Sequence, residues 1–79
     1  MRPYWVKLAP QPEPSALNIG VGVTARSEHE ARQMVSQAIG GSEVLSIEPV
    51  LDAAELDQSR VVPNMGSLLA CGIWFPLGY

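Results

Sequence analysis

The stretch that decides the fold runs from Ile19 to Val50, IGVGVTARSEHEARQMVSQAIGGSEVLSIEPV. Apolar residues alternate at Ile19, Val21 and Val23, then shift to helical spacing at Ala31, Met34, Val35, Ala38 and Ile39. A β-rich run returns at Val44, Leu45 and Ile47. A period that goes from 2 to 3.6 and back marks strand, helix, strand. The boundaries carry their own chemistry. Ser27-Glu28-His29-Glu30 reads as a capping box, in which Ser27 accepts from the Glu30 amide and Glu30 reaches back to Ser27. Glu28 and Glu30 complement the positive end of the helix dipole, and Glu28 is placed to pair with Arg32. Gly40-Gly41 closes the helix, because glycine takes the left-handed conformation without strain.

Outward from this segment, Tyr4 to Leu8 reads as a first strand with Tyr4, Val6 and Leu8 on one face and Trp5 and Lys7 on the other. The following Pro10, Pro12 and Pro14 make a stiff, extended connection. The second strand, Asn18 to Ala25, sets Gly20, Gly22 and Thr24 opposite its valines and isoleucine. Two glycines on one strand face call for a close neighbour, a bulge or a second subunit. A third strand, Glu43 to Glu48, stops at Pro49. In Leu51 to Leu56, Asp52 caps, Glu55 returns the bond, and Leu51 packs on Leu56 as a staple, giving a turn or two of helix. Val62 to Gly66 makes a turn in which Asn64 and Gly66 tolerate positive φ. Gly72 to Phe75 is a short last strand.

These elements predict a single α+β domain over residues 1–79. It has a three- or four-stranded sheet in β-β-α-β order plus a short C-terminal strand, with one main helix, Ser27 to Ile39, on one face. All five aromatic residues lie in the first five or last six positions: Tyr4, Trp5, Trp74, Phe75 and Tyr79. Burying them together favours the last strand beside the first.

Composition narrows the function classes. With 47% apolar and 16% charged residues the chain is globular, not intrinsically disordered. A chain of 79 residues buries only about 60–65% of its unfolded surface, so association would stabilise it. A net charge of −3, with five scattered basic residues, offers no row of cations for nucleic acid. Residues 61–79 carry no charge, but Pro63, Gly66, Gly72, Pro76 and Gly78 interrupt them too often for a membrane-spanning helix. The lone Cys71 and an N-terminus without an apolar signal core indicate a reducing cytoplasm. No Cys/His cluster is present to hold a metal, and no cofactor is expected.

Chemical motifs are sparse. Gly20-Val21-Gly22-Val23-Thr24-Ala25 has the letters of a dinucleotide fingerprint, but its glycines sit inside a strand instead of in the turn after one. His29 reads as a solvated histidine in the first helical turn, and Cys71 as a buried, inert thiol. Asp52, Glu55 and Asp57 do not have calcium-loop spacing, and capping accounts for the first two. Pro63-Asn64-Met65-Gly66 followed by Gly72-Ile73-Trp74-Phe75-Pro76 resembles the ending of small uncharacterised bacterial proteins, which carry a PNMG turn and a G-(I/V)-W-(F/Y)-P finish. The resemblance covers about the last quarter of the chain and implies no activity.

The leading expectation is a non-enzymatic binding or assembly module acting through protein contacts, as a homodimer. The sheet face marked by Trp5, Gly20, Gly22 and Thr24 has no second long helix to cover it, and an open apolar face invites association. Asn64, Met65 and Trp74 are the further binding candidates, although a tight turn and an aromatic strand explain them structurally. Two alternatives stand beside this one. A small-ligand sensor would use the glycine-lined face and the aromatic ends as its pocket. An enzyme or enzyme subunit would have to act through His29, Glu30 or Cys71.

Overall fold

A computed structural model describes residues 1–10, 15–40 and 43–76. Strands β1 (Arg2–Leu8), β2 (Val21–Ala25), β3 (Val44–Pro49) and β4 (Gly72–Phe75) form one antiparallel sheet in the order β3-β1-β2-β4. The single α-helix, α1 (Glu28–Ala38), crosses between β2 and β3 and lies mainly over β2. Its capping works largely as the sequence dictates. Ser27 Oγ accepts from the Glu30 amide at 3.2 Å, while Glu30 Oε1 accepts from the Arg26 amide at 3.1 Å instead of that of Ser27. Gly40 does not take a positive φ, and Gly41 lies outside the described residues, as do Pro12, Pro14 and Tyr79.

The alternation of β1 holds. Tyr4, Val6 and Leu8 enter a first core with Val21, Val23 and Ala25 from β2, Ala31 and Val35 from the helix, and Ile39 at its C-terminal end. Ile19 does not join them. Gly20 adopts φ +141°, outside the reach of L side chains, and the chain inverts there. β2 therefore begins at Val21, and Ile19 packs on the opposite side of the sheet.

That opposite side is not open. Residues 50–69 fold across it through two short 3-10 turns, Ala53–Glu55 and Val62–Asn64. Val50, Leu56, Val61, Trp74 and Phe75 make a second buried core there, with Trp5, Ile19, Met65 and Leu68 packed against it. The buried Thr24 hydroxyl donates to the Leu68 carbonyl at 2.6 Å and ties this layer to the sheet. The face expected to be uncovered is thus largely covered by the chain itself, by irregular segments that helical periodicity does not reveal.

Two further expectations are corrected. The last strand pairs with β2, not with the first strand. The Leu51–Leu56 staple does not form, because Leu56 turns into the second core while Leu51 stays 85% exposed. The capping half of that reading survives: Glu55 Oε2 accepts from the Leu51 and Asp52 amides at 2.7 and 2.8 Å, and Asp52 Oδ1 from the Ala54 amide at 3.0 Å.

Candidate functional site

The aromatic ends meet even though their strands are not neighbours. In register, Trp5 of β1 and Phe75 of β4 flank Gly22 of β2. With no side chain on Gly22, the flanking rings approach each other and the Trp74 indole lies against the glycine. Trp5 and Phe75 ring centroids stand 5.6 Å apart, and Trp5 and Trp74 6.1 Å. A bulge opposite Gly22 and Val23 lets the successive residues Trp74 and Phe75 both enter this core. An ideal Cβ on Gly20 would fall 2.6 Å from Cε2 and Cζ2 of Trp5. One on Gly22 would fall 2.6 Å from Cε3 of Trp74 and closer still to its Cζ3 and Cη2. The two glycines are therefore seats for indoles, and no ligand surface lies on them. Trp74 is buried, and its Nε1 has no acceptor among the described residues.

Of the remaining candidates, Met65 is half-buried against the second core. Asn64 is exposed, and its Nδ2 donates to the Arg60 carbonyl at 2.9 Å. The turn at Val62–Asn64 is 3-10 with no positive φ, so Asn64 contributes a side-chain clamp and not a left-handed backbone. Trp5, Gly20, Gly22 and Trp74 are brought together in one stack. His29 is exposed, and Cys71 is an exposed free thiol, contrary to its expected burial. Its neighbour Gly72, at φ +121° with open space around it, begins β4 at the surface instead of in the core.

Two clefts border the covering layer among the described residues. The first, of about 330 Å³, has the half-buried Trp5 indole among its walls, with Ile19, Val50, Leu56 and Val61. Its charged lining is Lys7 on β1, Glu48 on β3, and Glu55, Asp57 and Arg60 from the covering segment. Asp57 organises that segment. Its Oδ1 accepts from the Ser59 amide, the Ser59 hydroxyl and the Arg60 amide, each at 2.9 Å, and its Oδ2 accepts from Arg60 Nε at 2.8 Å. The Arg60 guanidinium first, then these other donors, hold the Asp57 carboxyl well below the usual carboxylate range.

The second cleft, of about 390 Å³, lies at the Met1 end of the sheet. Met1, Pro3, Thr24 and Val50 line it, with Leu51 and Asp52 on one wall and Leu68 and Leu69 on another. Four large apolar side chains stand strongly exposed among the described residues, Met1, Leu45, Leu51 and Leu69, and three of them belong to this cleft. Sequence reasoning missed these residues. The available signal was a leucine directly after Val50 and a Leu68-Leu69 pair in a span too short to bury both.

Among the described residues, no helix is long and apolar enough to cross a membrane. No group of three His, Cys, Asp or Glu side chains there is placed to hold a metal ion. Set against family models, curated proteins and solved structures, the chain matches none of them.

Proposed function

We propose that this domain is a non-enzymatic assembly module that pairs with a second copy of itself through the apolar cleft of Met1, Leu51 and Leu69. The observation that carries this reading is the convergence of three exposed large apolar side chains, at 65%, 85% and 92% exposure, on one concave surface. Scattered exposed leucines need no explanation, whereas a contiguous apolar patch usually marks a contact surface. This support replaces the uncovered sheet face, which the covering layer removes.

Self-pairing suits a surface of this kind, because a two-fold contact brings the same apolar patch onto its own copy. Asp52 is the charged residue among those that line the cleft, and Arg2 and Arg26 do not line it. A standard interface takes about 800 Å² per partner, against an accessible surface of 4824 Å² for the chain. The exposed free thiol of Cys71 supports a reducing, cytoplasmic setting for this assembly.

Sedimentation equilibrium tests the reading. The wild type is expected to dimerise with a Kd at or below about 10 μM, and the double variant Leu51→Asp, Leu69→Asp to stay monomeric with a native circular dichroism spectrum. A wild type that remains monomeric up to about 1 mM, or a double variant that dimerises as well as the wild type, overturns it.

A further inference from the structure

We propose that the cleft beside Trp5 is a binding site for a small zwitterion, an α-amino acid with an aromatic or other apolar side chain. This inference stands on a different cleft from the one assigned to self-pairing and does not rest on it.

At about 330 Å³, the cleft is at the small end of ligand sites, which run from about 300 to 1,000 Å³. A single amino acid fits that scale, and a dinucleotide does not. Next comes the wall. Trp5 is held by its close approach to Gly20 and by ring contacts with Trp74 and Phe75, so the indole is preorganised. A rigid aromatic surface lined by Ile19, Leu56 and Val61 suits a flat or branched apolar group.

The charges supply the specificity. Asp57 has both carboxylate oxygens filled by Ser59 and Arg60. Glu55 Oε2 accepts from the backbone amides of Leu51 and Asp52, which fixes this carboxylate to the covering segment. What remains is Lys7, Glu48, the second oxygen of Glu55, and the outer guanidinium nitrogens of Arg60, whose Nε alone is engaged by Asp57. Glu48 stands opposite Trp5 in the ladder, and Lys7 lies two residues further along the same face of β1. Both are exposed, and neither forms an ion pair with a described residue. An uncommitted carboxylate and uncommitted cations around one apolar wall are the complement of a ligand that carries an ammonium and a carboxylate together. A purely anionic ligand would meet Glu48, and a purely cationic one would meet Lys7.

Isothermal titration and tryptophan emission at pH 7 test this with three probes of one scaffold. L-phenylalanine carries both charges, 3-phenylpropionate lacks the ammonium, and phenethylamine lacks the carboxylate. Saturable binding of L-phenylalanine is expected with a Kd below about 1 mM, and each single-charge probe is expected to bind at least about tenfold more weakly. Glu48→Gln should bring L-phenylalanine down to the level of 3-phenylpropionate, and Lys7→Met should narrow its lead over phenethylamine. Both are exposed positions, so thermal unfolding should be unchanged. The double variant at Leu51 and Leu69 should bind as the wild type does, which separates this site from the dimer contact. No saturable signal up to about 10 mM, equal binding of the three probes, or variants that leave the preference intact overturns the proposal.

Discussion

Alanine at Gly22 tests whether that glycine is present to seat an indole. The added Cβ would stand 2.6 Å from Cε3 of Trp74, and an ordinary contact is 3.4 Å or more. The ring must therefore withdraw by about 1 Å within a core that holds Trp5, Phe75 and Val61 around it. The indole is rigid and 3% exposed, so no flexible end can yield in place of the ring. Overpacking of this kind costs about 1–3 kcal/mol. Opposing it, alanine restricts the unfolded chain and gains about 0.4–1 kcal/mol, since Gly22 is not among the glycines at positive φ. The balance is a loss of about 1–2 kcal/mol, which for a domain of this size lowers Tm by roughly 5–15 °C. Thermal denaturation followed by circular dichroism reads the loss, and tryptophan emission reads the displaced ring. Gly40→Ala serves as the control, because nothing lies within 4 Å of its Cβ position, and its Tm should hold or rise slightly. A Gly22→Ala protein that melts with the wild type would show that the indole is not held where the reasoning puts it.

Thr24→Val keeps the shape of a buried side chain but removes the donor to the Leu68 carbonyl. A loss of about 1–3 kcal/mol in urea unfolding is expected, and an unchanged midpoint would mean that this bond does not fasten the covering layer. Asp57→Asn addresses acid sensitivity. Because the folded-state pKa of Asp57 is depressed, the unfolded chain binds the more protons. Its stabilising contribution is therefore full above the ordinary carboxylate pKa of about 4 and fades as pH falls below it. The variant should show a shallower decline of Tm from pH 5 to about pH 2 than the wild type, and parallel curves would refute the assignment.

The readings that held were the ones whose causes lie within a few residues along the chain. Ser27 and Glu30 are three positions apart, and capping needs no more. The alternation of Tyr4, Val6 and Leu8 against Trp5 and Lys7 follows from the pleat alone. Even the demand of Gly20 and Gly22 for a close neighbour was legible, although the sequence could not say that the neighbours are Trp5 and Trp74. A period of 2 places Ile19 on the face of Val21 and Val23 only if the strand is unbroken, and the positive φ at Gly20 breaks it.

Taken alone, the sequence settled the α+β class, the span of the helix and the two faces of the first strand, because backbone periodicity and caps are local properties. The tertiary structure decided that β4 docks on β2, that residues 50–69 cover the Trp5 side, and that Leu51 and Leu69 remain outside. Those outcomes depend on which distant surfaces fit each other once glycine removes a side chain between them. Such a fit involves residues some fifty positions apart, as Thr24 and Leu68 nearly are, and no local pattern encodes it.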